Sequence, residues 1–344
     1  MSYLEQEINE QPEAIQRLLI EEVENIQEIV TAIRVCAPAY VVIAARGTSD
    51  NAAQYAKYLM GIYLGIPVAL AAPSIHTLYG AQTDMSKALV IGISQSGQSS
   101  DVAQIVEDAR EQGACTLSIT NDTDSPLAKA ANHHIWLRCE EEKSVAATKT
   151  YITEITALAM LTAYWADDAA MIAELNALPG YIQKSLESAK EIEQWVQRYR
   201  YMERIAVIGR GLNYCTAFEI SLKIKELCYL TGEEYSEADF RHGPIAIISR
   251  GFPVLAIAPK GKTLPLAIDL LKKLNEKQAE CIVFSNDETA CSLAKKSVLL
   301  PDVPEWLSPM CAVIPGQIFA FRLAEAKGHN IDRPEGLSKV TITR

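Results

Sequence analysis

The feature that most constrains the fold of this chain is that it repeats itself. Displacing the sequence by 164 residues brings Arg46-Gly47 onto Arg210-Gly211 and Gly97 onto Gly261. One residue later, Asn121-Asp122 falls on Asn286-Asp287, each pair following an apolar run. Each half reads strand, glycine turn, helix, strand, loop, helix, strand. Unbroken apolar runs such as Ala88–Ile93 are strands covered on both faces, and their alternation with helices implies a mostly parallel sheet with helices on both sides. The expected fold class is α/β: two tandem three-layer αβα domains, with ligands at the carboxyl ends of the strands. A chain of 344 residues is long enough for two such cores.

The sequence divides into an N-terminal helical segment (1–34), a first domain (35–175), a connecting helix (176–200) and a second domain with a C-terminal tail (201–344). Glu5 to Ile33 reads as one helix with Pro12 near its start, and Leu178-Pro179-Gly180 marks the polar, helical boundary region.

After Ala88–Ile93 comes Ser94-Gln95-Ser96-Gly97-Gln98-Ser99-Ser100-Asp101, and then a helix from Val102 to Glu111. Such a strand-to-helix loop aims free backbone N–H groups and a helix dipole at an anion. It has one glycine where a dinucleotide fingerprint needs three, and no Gly-Lys-Ser/Thr ending. Serine hydroxyls must do the remaining work, which suits a small phosphomonoester; the bland alternative is a serine-rich turn with an N-cap. A second loop of this kind, Arg46-Gly47-Thr48-Ser49-Asp50, follows Val41–Ala45 and precedes a helix from Asn51 to about Gly61. The two can close on one phosphate. At the place of Ser94-Gln95-Ser96 the second half carries Ala258-Pro259-Lys260, so one such site per chain is expected.

Net charge is −11, from 32 basic and 43 acidic residues, which argues against nucleic acid or an anionic membrane as partner. No window reads as the roughly 18 uncharged apolar residues of a membrane span, and the acidic N-terminus is not a secretory signal. Eight cysteines without a C-x-x-C pair read as reduced thiols of a cytoplasmic protein. His133-His134, the one close pair, points to opposite faces of a strand, so neither a metal nor another cofactor is expected.

In the second half, Glu219, Lys223 and Glu226 fall at i, i+4 and i+7 of a helix from Tyr214 to Leu230, which puts them on one face. That face is either solvated and stabilised by Glu-to-Lys pairing, or partly buried with a carboxylate fit for general-base work. His242, in the tight loop Arg241-His242-Gly243-Pro244, is either an acid/base group or a turn-stabilising donor. Lys339, taken alone, is an ordinary exposed lysine.

These segments, with Glu142-Lys143-Ser144-Val145-Ala146-Ala147-Thr148-Lys149, the tail Leu337-Ser338-Lys339 and the opening Glu7-Ile8-Asn9-Glu10-Gln11-Pro12, resemble in order the isomerase half of the glucosamine-6-phosphate synthase family, built of two tandem sugar isomerase (SIS) domains. The resemblance implies that Thr48, Ser94, Gln95, Ser96 and Ser99 bind a sugar phosphate, with neighbouring Ser49 in the same loop and Val145 at the pocket. It implies that Glu226 moves a proton between C1 and C2, that His242 opens the sugar ring, and that Lys339 forms a Schiff base with a ketose phosphate. It also implies that Lys223 and Glu219 line the same site. It further implies a homodimer whose active site is shared, with the histidine entering from the neighbouring subunit.

The chain begins Met1-Ser2, without the glutaminase domain and its nucleophilic cysteine, and Lys143 and Ala147 depart from the family pattern. The expected activity is therefore that of an amino-sugar 6-phosphate isomerase/deaminase. The alternatives are a glutaminase-less synthase, a fructosyl-amine 6-phosphate deglycase and, in another class, a non-catalytic sugar-phosphate sensor.

Overall fold

The structure, a computed structural model, describes residues 2–339; Met1 and 340–344, the end of the expected second domain, lie outside the described residues. The chain forms two compact units. One comprises 10–143, 147–179 and the chain from Ser338 on; the other comprises the residues up to Asn9, 144–146 and 180–337. The grouping departs from the expected division: the N-terminal segment splits after Asn9 and the connecting segment after Pro179, Ser144–Ala146 groups with the second-sheet unit, and Ser338 and Lys339 group with the first-sheet unit.

The first-sheet unit contains β1 (Tyr40–Ala44), β2 (Val68–Leu70), β3 (Ala88–Ile93), β4 (Cys115–Thr120) and β5 (His133–Trp136), in the order β2-β1-β3-β4-β5 and all parallel. All six residues of β3, an unbroken apolar run, and of β4 are buried, as central strands covered on both faces require. β4 carries three hydroxyls inward, and each is satisfied locally: Thr116 donates to Asn132 Oδ1 (2.8 Å), Ser118 to the His133 carbonyl (3.3 Å) and Thr120 to the Asp122 carbonyl (2.7 Å). Val90, Val102, Ile105, Val106 and Leu127 form the core between β3 and the Ser100–Glu111 helix. The Lys149–Ala166 helix is buried from Lys149 to Ala163.

The single helix expected over Glu5–Ile33 is three helices, Tyr3–Asn9, Gln11–Glu21 and Val23–Cys36. Pro12 accounts for the first break: it lacks an N–H and is tolerated only in a first turn, where the structure has it.

The second-sheet unit contains β6 (Arg204–Gly209), β7 (Thr231–Ser236), β8 (Pro253–Ile257), β9 (Glu280–Ser285) and β10 (Lys296–Leu299), again parallel, in the order β10-β9-β8-β6-β7. Read from β7, this is the order of the first sheet, so the sequence repeat is a repeat of topology. Ile208, Phe240, Val254, Leu270 and Val283 belong to its core. The Tyr214–Cys228 helix ends where Tyr229 turns left-handed, with φ 54°. It packs on the Ser308–Lys327 helix, where Gly316 allows close approach: a Cβ there would lie 2.2 Å from Ile220 Cγ1. Among the described residues one helical segment, Glu305–Lys327, is long and apolar enough to cross a membrane; 89% of its most apolar window is buried inside the protein, the pattern of a core helix.

Candidate active site

In each sheet the strand order reverses direction between its first and third strands, and crevices at such switch points are where open α/β sheets take ligands. In the first-sheet unit the loops after β1 and β3 both emerge there. Gly97 gives the β3 loop its bend with φ +65°, and no other residue fits: a Cβ would lie 2.1 Å from Ser125 Oγ. The Gly97 amide donates to Ser94 Oγ (3.2 Å), which lies 3.3 Å from Ser99 Oγ, and the Gln98 amide donates to Ser96 Oγ (3.3 Å). The hydroxyls of Ser94, Ser96 and Ser99 are thus gathered at the start of the Ser100–Glu111 helix, whose dipole favours an anion.

The β1 loop enters the Gly47–Tyr63 helix with Gly47 at φ +54°. Thr48 is half-buried, whereas Ser49 is buried and donates to Glu154 Oε1 (2.7 Å), so its proton is already committed. Sequence reasoning missed that Arg46 ties the loops together. Its Nε and a terminal nitrogen both lie 2.8 Å from Asp101 Oδ2, with the carboxylate fully buried and the guanidinium 45% exposed.

A cavity of about 490 Å³ opens beside this loop, lined by Gln95, Ser96, Gln98, Trp136, Glu142 and Lys339 among others. Lys339, 31% exposed, reaches it from the tail, and its Nζ is 3.4 Å from Glu142 Oε2. Val145 is half-buried; next to it, the Ser144 amide donates to Glu7 Oε2 (3.2 Å), and both residues belong to the second-sheet unit.

In the second-sheet unit, the helix after β6 carries Glu219, Lys223 and Glu226. Lys223 Nζ lies 3.3 Å from Glu219 Oε1 and 2.6 Å from Glu226 Oε2. Glu219 and Lys223 are 0% and 1% exposed, so a solvated face does not describe them; Glu226, at 22%, is the member that solvent reaches. Burial pushes the Lys223 ammonium down, but the two flanking carboxylates outweigh it and hold its pKa above the ordinary lysine range. The trio therefore presents one accessible carboxylate backed by a fixed cation.

His242 is exposed, at the end of the Glu237–Arg241 helix, its amide donating to the Asp239 carbonyl (3.0 Å). Arg241 anchors the loop from behind: it pairs with buried Glu237, lies 2.8 Å from Asp269 Oδ2, and donates to the Leu266 carbonyl (3.0 Å). Glu237 also receives Arg210 of the turn after β6.

The SIS domain pattern matches residues 36–164 and 199–325, one copy on each sheet. The chain belongs to the SIS domain family. It is 31% identical over 350 residues to glutamine–fructose-6-phosphate aminotransferase (isomerizing) of Pyrococcus horikoshii, a match that covers 99% of this chain and 58% of that protein. The chain thus spans a little over half the length of this curated relative. The C-terminal domain of glucosamine-fructose-6-phosphate aminotransferase from Francisella tularensis superimposes with a TM-score of 0.87 at 26% identity, covering 96% of this chain and 98% of that one. Glucosamine-6-phosphate deaminase from Thermotoga maritima shares the fold, with a TM-score of 0.80 at 20% identity, covering 99% and 100%. The strand order is the same in both halves of the chain.

Proposed function

We propose that this chain is an amino-sugar 6-phosphate isomerase/deaminase. It takes glucosamine 6-phosphate or a close epimer to the ketose 6-phosphate and ammonia. The observation that carries the reading is the buried Glu219–Lys223–Glu226 trio with Glu226 alone open to solvent, since an aldose–ketose proton shift needs one accessible, supported carboxylate. The family membership supports sugar-phosphate isomerase chemistry in general; the amino sugar and the direction are our inference.

The phosphate is held by Thr48, Ser94, Gln95, Ser96 and Ser99, with Val145 against the sugar. His242 opens the ring, moving the proton of the C1 hydroxyl to the ring oxygen. Glu226 takes the C2 proton while the C1 oxygen gains one from the substrate's own ammonium group, giving an enaminol, and Glu226 returns its proton to C1; the lone pair on nitrogen then leaves a protonated imine at C2. Water adds to that carbon and ammonia departs, or the Lys339 amine displaces ammonia as a Schiff base that water then hydrolyses. Lys223 keeps Glu226 oriented and balances charge as it gains and loses the proton. The reading requires the phosphate cradle and Glu226 to act on one substrate molecule, within one chain or across a homodimer.

The similarity to the aminotransferases favours a second reading, in which the same steps run toward amino-sugar synthesis with ammonia supplied. Purified protein is tested on a panel of amino-sugar and glycated-amine 6-phosphates without glutamine, and in reverse on fructose 6-phosphate with ammonium. Ammonia release, lost about a hundredfold in Glu226→Gln with sugar-phosphate binding retained, supports the proposal. Turnover unchanged by that substitution, or absent on every substrate in both directions, overturns it.

A further inference from the structure

We infer that Glu142 is a positioning residue that sets Gln95 and Lys339 at the phosphate loop as a single unit. Its side chain is fully buried in the loop before the Lys149–Ala166 helix. One oxygen, Oε1, accepts the amides of Thr148 (2.7 Å), Lys149 (2.8 Å) and Thr150 (3.4 Å) together with the Thr148 hydroxyl (3.3 Å). That oxygen caps the helix and fixes the carboxylate in place. The other, Oε2, accepts Thr150 Oγ1 (2.6 Å) and Gln95 Nε2 (2.5 Å), and lies 3.4 Å from Lys339 Nζ.

The consequence is geometric. Gln95 sits in the loop that gathers Ser94, Ser96 and Ser99, and Lys339 comes from the tail, 197 residues away in sequence from Glu142. Both polar heads converge on one carboxylate oxygen whose own position is fixed by a helix N-terminus. A glutamine at 142 would conserve shape and the capping oxygen, but would turn an N–H group toward the donors of Gln95 and Lys339. Gln95 and Lys339 would then lose the acceptor on which both converge. The inference rests on the reading of the Ser94–Ser99 loop as the phosphate cradle and of Lys339 as a substrate-facing amine, and it adds the group that aims them.

The test separates the two. The intact chain is pulse-acetylated without substrate, and the labelling of Lys339 is followed by peptide mass spectrometry against exposed Lys272 as internal standard. Glu142→Gln should raise Lys339 labelling about tenfold, and Glu142→Asp less, since it keeps the charge on a shorter stem. In the wild-type chain, about 1 M salt should raise it as well by screening the pair, a measurement that needs no variant to fold. Fructose 6-phosphate affinity, read by calorimetry, should fall in Glu142→Gln, and should fall less when the same substitution is made in Lys339→Met, where Gln95 alone remains to be aimed. A Glu142→Gln protein that loses thermal stability while Lys339 labelling stays at the wild-type rate, or wild-type labelling indifferent to salt, overturns the inference and leaves Glu142 as a helix cap only. Coupled labelling in a protein that processes no amino sugar refutes the proposed reaction and leaves the positioning role standing.

Discussion

Arg46 and Asp101 form a two-contact ion pair, both at 2.8 Å, that binds the loop after β1 to the first turn of the helix after β3. The residues are 55 apart in sequence, and their pairing closes the two hydroxyl-bearing loops around one crevice. Arg46→Ala should leave the buried Asp101 carboxylate without its cation and loosen both loops. Sugar-phosphate affinity should drop about tenfold, the scale of one lost hydrogen bond to a charged group. Arg46→Lys should recover only part of it, because an ammonium cannot reproduce the two-nitrogen contact. Calorimetric titration with fructose 6-phosphate reads both variants; equal affinity in all three proteins would show that the pair does not organise the cradle.

The serines of the cradle carry the next prediction. Ser94→Ala with Ser96→Ala removes two hydroxyls at the phosphate loop and should weaken sugar-phosphate binding about a hundredfold, at roughly 1 to 1.5 kcal/mol each. Raising salt to about 0.5 M should weaken binding to the wild-type protein only modestly, since the proposed cradle offers the phosphate hydroxyls and backbone amides rather than exposed cations. Unchanged affinity in the double variant would move the phosphate elsewhere.

Lys223 links stability to pH. Its pKa is raised in the folded chain, so its contribution is fully present below the unfolded lysine value of about 10.4 and is lost as pH rises through the higher folded value. The stability gap between wild type and Lys223→Met should be flat from pH 6 to 9 and narrow above about pH 10.4. On the flat stretch, Lys223→Met should cost about 3 to 5 kcal/mol, because it strands buried carboxylate charge. Adding Glu219→Met should return much of that loss. Thermal denaturation across the pH range checks the sign, and a gap that stays constant or widens above about pH 10.4 would contradict it.

Assembly is tested by mixing. If His242 acts across a two-fold interface, Glu226→Gln and His242→Ala proteins unfolded and refolded together form heterodimers in about half of the molecules, each with one site holding both native residues. Activity should recover to roughly a quarter of wild type. A mixture that stays inactive would assign His242 to the same chain as the Glu226 it serves.

The strands, the glycine turns and the doubled topology were legible because each is written locally: an unbroken apolar run, a residue that must take positive φ, a helix that follows. Glu219, Lys223 and Glu226 were legible as one face, since helical spacing alone aligns them. Whether that face met solvent was not, because the answer depends on packing from another part of the chain. For the same reason Ser49–Glu154, 105 residues apart, and Gln95–Glu142, 47 apart, left no trace in spacing. The one helix expected over Glu5–Ile33 was misread since its periodicity runs through two breaks, and Pro12 marks only the first.

Gly316 has a bearing on how this protein can change. With no room for a methyl group opposite Ile220, the helix that bears Glu219, Lys223 and Glu226 is seated from behind by a notch one atom deep. Any side chain at 316 would displace Ile220, whose immediate neighbour is Glu219, and would shift the carboxylates by a fraction of an ångström, a distance that matters to proton transfer. Substrate range can therefore drift through the loops, where sequence is cheap to vary, while the back of this helix stays closed to it; a mutational library aimed at new sugars would gain variants in the first and find position 316 almost silent.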